Sequence, residues 1–244
     1  MVCTHEGEVL KKGRIPTEKE DIEKFFSGLE RLEIALEAST NYEYYYDLLE
    51  SLGHRVVAAH PLKTRMIADA KIKTDKLDAK ILAELLRGGL LPTSYVPPKE
   101  LRELQHLVRH RIALGRTRSG LKTRIKTELR RKNIKYRDGA TCFTEKGKAE
   151  LRRLHNPFID SFLAIYEVVD EELKHMDRVV AEAGARHEEV RLLKSITGIG
   201  VYSALVIYSE IGDGSRFPRR ATYSHTRALS CGFIKQRMNS ITVG

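Results

Sequence analysis

Cysteines and long apolar runs are scarce in this sequence. The chain of 244 residues has three cysteines, Cys3, Cys142 and Cys231, which lie far apart and form no C-x-x-C pair. This spacing predicts neither a disulfide framework nor a zinc site, and we expect reduced thiols. No apolar run approaches the roughly 18 residues of a membrane span, and the first residues lack a charged-then-apolar secretion pattern. The sequence therefore predicts a globular cytoplasmic protein that has no membrane partner.

Acidic residues are scarce in one segment of the chain. Between Leu101 and Arg137 there are 13 Lys or Arg residues and only two Asp or Glu residues, an excess of 11 positive charges. The net charge of the whole chain is +10, so this segment carries the entire excess. Such a concentration predicts a surface for a polyanion such as nucleic acid. The residues that we assign to this surface are Arg109, Arg111, Arg116, Arg118, Lys122, Arg124, Lys126, Arg130, Arg131 and Lys132.

Short apolar runs between turn residues predict an α/β fold over residues 1–96, the first of three predicted domains. Strands and helices that alternate in this way are typical of an α/β sheet. Glu37 ends one predicted strand, at the sheet edge where ligands of open sheets gather. The predicted elements are a hairpin over 2–15, a helix from a capping box at Thr17–Glu20 to about Glu30, a strand over 31–38, a helix opening at Asn41 and a strand over 54–60.

Two carboxylates open the next predicted helix. If that helix begins at Thr74 or Asp75, the i, i+3 spacing places Asp75 and Asp78 on one face near its N-terminus. The two acids can share a divalent metal, and Glu37 can converge with them from the sheet edge. Acids at a helix start also serve as caps that oppose the helix dipole. The spacing alone leaves both roles open.

A second predicted domain, residues 97–190, follows the linker that ends at Pro97-Pro98. It opens with the long basic helix, whose apolar positions form a broken stripe. A later stretch, Ile159–Ala183, has apolar residues at alternating spacings of three and four, which is a heptad pattern. We predict that the two helices pack as an antiparallel coiled coil, with an irregular tip over 133–157.

The third predicted domain, residues 191–244, begins with the turn S-I-T-G-I-G at Ser195–Gly200. An apolar-Gly-apolar-Gly turn between helices is the hairpin of a helix-hairpin-helix module, in which Gly198 and Gly200 let backbone N–H groups approach a phosphate. A plain turn between two helices has the same pattern. After Pro218 the sequence is basic and irregular.

Together these motifs resemble the DEDD transposases of insertion sequences. The resemblance is carried by A-L-E-A-S-T around Glu37, by K-T-D-K-L-D-A-K-I-L-A at Lys73–Ala83, by the basic helix and its predicted coiled-coil partner, and by the glycine turn. It covers nearly the whole chain. It implies an RNase-H-like (RuvC-like) domain joined by a coiled coil to a helical C-terminal transposase domain. It also implies DNA as substrate, a structured bridge RNA as guide and a homo-oligomer on DNA.

The resemblance also implies roles for single residues. Glu37, Asp75 and Asp78 match the second, third and fourth acids of the family's tetrad, which holds two Mg²⁺ ions for phosphoryl transfer. A serine of the C-terminal domain is implied to attack the DNA phosphate; Ser240 is the candidate here and Ser230 the alternative. The family's first acid lies on an opening strand for which this sequence shows no counterpart, and the family continues beyond its serine. We therefore expect a catalytic domain without its first strand, truncation at both ends and impaired cleavage.

Two other functions fit the sequence. One is a non-enzymatic, nucleic-acid-binding remnant of a transposase, which needs only the basic surface. The other is a RuvC-like junction nuclease, which shares the acids but needs neither the glycine hairpin nor the serine domain.

Overall fold

The computed structural model describes residues 1–69, 79–136 and 139–212. The chain divides into two units, Met1–Val96 and Pro97–Gly244. None of the helices in the described ranges is both long and apolar enough to cross a membrane.

The first unit contains two small sheets with helices between their strands. The antiparallel pair β1 and β2 confirms the predicted hairpin. In the second sheet, β3 and β4 run parallel, with Glu37 opposite Ala59 at their last paired position, and β5 pairs antiparallel with β4. The elements are β1 (Val2–Cys3), β2 (Val9–Lys11), α1 (Lys19–Phe26), β3 (Glu33–Glu37), α2 (Tyr42–Ser51), β4 (Arg55–Ala59), α3 (Pro61–Asp69), α4 (Ala79–Arg87) and β5 (Thr93–Ser94).

Helix α1 differs from its prediction at both ends. Its N-cap is Glu18, whose side chain makes no capping hydrogen bond, so the predicted capping box is not the structure that starts the helix. The helix ends at Phe26 rather than near Glu30, and Gly28 has a φ of 76°. That backbone conformation is readily available only to glycine, which explains why the chain turns here toward β3.

The core of the first unit lies between α1, α2 and one face of the β3–β4 sheet. Ile22, Leu48, Leu49 and Val56 are buried there, with Ile34 and Leu36 packed against them. Because alternate strand residues face opposite sides, the side of β3 away from this core carries Glu33, Ala35 and Glu37. The strand therefore presents a carboxylate at each of its ends.

The second unit is built on two long antiparallel helices, α5 and α7. Ile125 of α5 and Ile159 of α7 share a core cluster at one end of the pair, and Val108 and Val180 share another cluster at the opposite end. The antiparallel direction follows from this pairing. The elements are α5 (Lys99–Arg131), a 3₁₀ turn (Gly139–Phe143), α6 (Glu145–Arg152), α7 (Pro157–Ala185), α8 (Glu188–Lys194) and α9 (Val201–Ile211).

The tip between α5 and α7 is not irregular, so that prediction was wrong. It contains the 3₁₀ turn and α6, and Thr144 caps α6 by accepting a hydrogen bond at Oγ1 from the Gly147 N–H. Leu151 of α6 is buried against the ends of α5 and α7. The Thr144 cap, the burial of Leu151 and ion pairs of Lys148 and Arg152 with Glu167 of α7 stabilise a helix that the apolar pattern does not reveal.

Helices α8 and α9 pack on the other end of the α5–α7 pair. Val190 of α8 and Leu205 of α9 are buried in the same cluster as Val108 and Val180. Gln105 donates from Nε2 to the carbonyl of Ser209 at 2.8 Å, a buried bond that fastens the end of α9 to the start of α5. The predicted boundary at residue 191 stays a prediction.

Candidate active site and nucleic-acid interface

Glu37 lies at the edge of the sheet where the two parallel strands end. Its side chain is half-buried, and it forms no ion pair with any residue in the described ranges. The hydrogen bond from the Ala38 N–H to the Ala59 carbonyl, 3.3 Å long, continues the pairing just beyond it. A half-buried carboxylate without a cationic partner suits a metal ligand, because Mg²⁺ prefers carboxylate oxygens.

His60 lies at the same edge of the sheet, and the sequence assigns it no role. It directly follows β4. The backbone N–H of His60 donates a hydrogen bond of 2.8 Å to the carbonyl of Pro92, and its ring Nδ1 accepts one of 3.4 Å from the backbone N–H of Lys63.

The remaining predicted catalytic residues, Asp75, Asp78 and Ser240, lie outside the described residues, as does Ser230. Helix α4 is described from Ala79, the residue after Asp78. In the part of the chain that the structure describes, no group of three or more His, Cys, Asp or Glu side chains could hold a metal ion. The convergence of Glu37 with the two aspartates therefore stays a prediction.

Three arginines of the predicted nucleic-acid surface form ion pairs with acids on other helices of the second unit. Arg109 binds Glu210 through two hydrogen bonds of 3.0 and 3.1 Å, which ties α9 to α5. On the α7 side, the pairs are Arg111 with Asp177 and Arg118 with Asp170, each at 2.8 Å.

The two α5–α7 ion pairs follow one repeat. The arginines are one heptad apart on α5, and their acids are one heptad apart on α7, as expected for antiparallel helices in register. Sequence spacing could have revealed this pairing. An ion-paired arginine is less available to a phosphate, so these arginines differ from the α5 cations that have no acidic partner in the described part of the chain.

Of the two α7 acids that bind these arginines, Asp170 has the less exposed side chain. Burial acts to raise the pKa of its carboxyl, but the hydrogen bond and charge of Arg118, with a smaller effect of Lys174, outweigh burial and lower the pKa. Lys122 has the opposite environment: burial, then the charge of Arg118, lowers the pKa of its amine, whose nitrogen lies 5.0 Å from the centre of the Phe143 ring.

The lowered pKa of Asp170 makes the second unit sensitive to acid. A carboxyl whose pKa is lower in the folded than in the unfolded chain stabilises the fold above its unfolded pKa, and this stabilisation is lost as pH falls through the folded value. We expect Arg118→Ala to lower the free energy of unfolding at pH 7 and to remove part of the acid sensitivity. The stability difference from the parent chain should then shrink below about pH 4.

Urea unfolding followed by helical circular dichroism at pH 7, 4 and 3 measures this effect. Arg116→Ala is the matched control, because Arg116 is two positions away and has no acidic partner among the described residues. A constant difference between the Arg118 variant and the parent chain at all three pH values would contradict the assignment.

Other cations of the predicted surface have no acidic partner within the described ranges. Arg131 differs, because it binds Glu128 on its own helix and lies over the Phe158 ring. Lys122 also forms no ion pair in the described part of the chain, but it is half-buried over the Phe143 and Tyr166 rings. The other cations without an acidic partner in those ranges are best placed to meet phosphates. They are Arg116, Arg124, Lys126, Arg130 and Lys132, of which Arg124 lies over the Phe162 ring.

The glycine turn joins α8 to α9. Gly198 has a φ of 89°, a conformation that favours glycine, whereas Gly200 is the N-cap of α9 with a φ of −83°, which other residues also adopt. The turn is closed by a hydrogen bond of 3.1 Å from the Ile199 N–H to the Ile196 carbonyl. Backbone geometry therefore explains why position 198 is a glycine but not why position 200 is. Binding of phosphate by the two glycines stays a prediction.

A carboxylate at the edge of a partly parallel sheet and a long basic helix are features of proteins that act on nucleic acids. The comparison with protein families agrees with this class. The chain belongs to the IS110 family of DEDD transposases, because residues 1–134 match that family's model, which carries the description "Transposase". It is thus a transposase of an insertion sequence. The family implies DNA as a partner and a nuclease-like mechanism that depends on a divalent metal.

Two relatives extend this finding. The chain is similar to the transposase for insertion sequence element IS1533 of Leptospira borgpetersenii, with 27% identity over an alignment that covers 99% of this chain and 74% of the relative. It is also similar to a protein of Sinorhizobium fredii named "Putative transposase y4qE", with 25% identity over 80% of this chain and 49% of the relative.

Proposed function

We propose that this chain cleaves and transfers DNA strands at the ends of an insertion sequence, and that Mg²⁺ is its metal. The observation that carries the proposal is the family match over residues 1–134, which contains Glu37, Asp75, Asp78 and the whole of α5. The first unit is proposed to be RNase-H-like, and the α5–α7 pair to be a coiled coil.

Glu37, Asp75 and Asp78 are the proposed metal ligands. Of these, Glu37 has a position that supports the role: it is half-buried at the sheet edge and has no ion-pair partner in the described residues. Bound Mg²⁺ would orient the attacking group and stabilise charge on the leaving oxygen. The carboxylate oxygens would hold the metal.

Ser240 is the proposed nucleophile, with Ser230 as the alternative, and the glycine turn is proposed to belong to a helix-hairpin-helix module that contacts the DNA backbone. A guide RNA and assembly as a homo-oligomer on DNA are further parts of the proposal, supported by the resemblance to the family. The proposed compartment is the cytoplasm, which agrees with the free thiols of Cys3 and Cys142.

The cations of α5 that have no acidic partner in the described residues are the proposed contacts to nucleic acid. Arg116, Arg124 and Arg130 are exposed and, at 100° per residue, lie on one face of the helix. Each phosphate that such a residue neutralises releases counterions, so the affinity should fall steeply with salt.

A cleavage assay tests the proposal. The purified chain is incubated with labelled duplex DNA that contains an end of its own insertion sequence, together with RNA transcribed from that element. We expect slow cleavage with Mg²⁺, in keeping with the impaired activity expected from the sequence, and no cleavage with EDTA. Salt-sensitive binding without cleavage under any divalent metal would favour the non-enzymatic remnant, and cleavage in EDTA would contradict the metal site.

A further inference from the structure

A cavity of about 450 Å³ lies at the tip of the second unit, between the end of α5, the 3₁₀ turn and α6. This volume is within the range of small-molecule binding pockets. Leu129, Cys142 and Leu151 contribute buried apolar side chains to its lining. Burial raises the pKa of the Cys142 thiol, which therefore stays protonated and behaves as part of an apolar wall.

The shape of the cavity depends on a close approach of two elements. A Cβ atom added at Gly147 would overlap the carbonyl oxygen of Thr141 and that of Cys142. Glycine at this position thus lets α6 pack directly against the 3₁₀ turn, and the cavity opens beside this contact. Leu129, Cys142 and Leu151 line the cavity and also belong to the core cluster at this end of the α5–α7 pair, so packing of the core fixes the cavity wall.

The rim of the cavity is cationic and aromatic. Lys135 and Lys146 are exposed lining residues with no acidic partner in the described ranges, and Tyr136 adds a half-buried ring. Glu150 is the one carboxylate among the residues that line the cavity. An apolar interior, an aromatic wall, two lysines and one carboxylate together match a planar polar ring linked to phosphates, which is a nucleotide.

We propose that this cavity captures an unpaired nucleotide of the nucleic acid held along α5. The base enters the apolar interior beside Tyr136, its flanking phosphates meet Lys135 and Lys146, and Glu150 accepts a hydrogen bond from an exocyclic amino group. Adenine, cytosine and guanine carry such an amino group and thymine does not; contacts of Glu to the N4 amine of cytosine illustrate the pairing. The inference rests on the proposed nucleic-acid surface, because Leu129 of α5 lines the cavity and is followed by Arg130, which has no acidic partner among the described residues.

The experiment compares two DNA hairpins of equal length, one fully paired and one with a single bulged adenine, by fluorescence anisotropy with the full chain. Base stacking on an aromatic side chain predicts about tenfold tighter binding of the bulged hairpin. Leu154→Trp, at a half-exposed lining position, should fill the cavity and reduce the preference to less than twofold without weakening binding of the paired hairpin. Leu192→Trp, a more exposed leucine outside the cavity, is the matched control and should keep the preference.

A reporter variant keeps the test decisive if Leu154→Trp does not fold. The chain has no tryptophan, so Tyr136→Trp places a single indole at the cavity, and Tyr44→Trp places one on an exposed site of the first unit. We expect the bulged hairpin to quench Trp fluorescence in the first variant at least twofold more than in the second. Equal quenching in both would overturn the proposal.

The outcomes of these experiments test the cavity proposal and the proposed nucleic-acid surface of α5 separately. Equal, salt-sensitive binding of both hairpins, or a preference that survives Leu154→Trp, overturns the cavity proposal and leaves the proposed surface intact. Absence of salt-sensitive binding to either hairpin overturns the surface, and the captured nucleotide with it. Saturable quenching by AMP alone at the hairpin's concentration would show that the cavity takes free nucleotides rather than a strand.

Discussion

Glu37→Gln, Asp75→Asn and Asp78→Asn should each reduce Mg²⁺-dependent strand cleavage on the order of 10³-fold while DNA binding stays unchanged. The amides keep the size of the side chains but remove the charge that holds a divalent cation. Loss of several kcal/mol of transition-state stabilisation by the metal corresponds to a rate effect of this size. Single-turnover cleavage rates measure the first effect, and Mn²⁺ titration of the same variants measures metal binding independently of turnover.

Glu33→Gln is the matched control for Glu37→Gln. Both residues belong to β3 and face the same side of the sheet, but Glu33 lies at the opposite end of the strand and pairs with Arg55 at 3.3 Å. Because that pair is largely exposed, its loss should cost little stability and leave cleavage unchanged. The site assignment would fail if Glu33→Gln impaired cleavage as much as Glu37→Gln, or if Asp75→Asn and Asp78→Asn left Mn²⁺ binding intact.

Replacing Arg116, Arg124 and Arg130 together with alanine should weaken DNA binding by roughly 10- to 100-fold at 0.1 M salt. Three lost phosphate contacts should also reduce the slope of log affinity against log salt by about three. The physical reason is that these exposed cations of α5 have no acidic partner among the described residues. Anisotropy titrations with a paired hairpin at several salt concentrations give both quantities.

The triple variant with alanine at Arg109, Arg111 and Arg118 removes the same formal charge from the same helix. These arginines bind acids of α7 and α9, so we expect a smaller change in salt slope and a lower free energy of unfolding. Equal slopes for the two triple variants would show that the ion pairs do not decide which arginines reach the DNA.

Local signals were sufficient for the elements that carry Glu37. The strands β3 and β4 are apolar runs, and Gly53 and Pro61 bound the second of them. Strand β5 was not predicted, because two residues, Thr93 and Ser94, become a strand only by pairing with Ala58 and Ala59, which is a tertiary event. Helix α6 was missed because its sequence is mostly polar and its one buried leucine gives no period.

The candidate site was predictable to a different degree in each unit. The position of Glu37 at a strand end follows from alternation and turn residues, whereas its distance from Asp75 and Asp78 depends on packing that no local pattern encodes. On α5, composition marked the whole helix as basic but did not separate Arg118, which binds Asp170, from Arg116, which has no acidic partner in the ranges that the structure describes. That distinction depends on the register between two helices, and the matching heptads of α5 and α7 were the available clue.

The unbroken course of α5 has a geometric consequence for any duplex laid along it. The buried bond from Gln105 fastens α9 near one end of this helix, and Leu129 lines the tip cavity near the other. At 1.5 Å per residue these positions are about 36 Å apart, close to one full turn of B-form DNA. Protection from hydroxyl radicals at two patches on the same side of the double helix, about ten base pairs from each other, is therefore the footprint that this unit should leave.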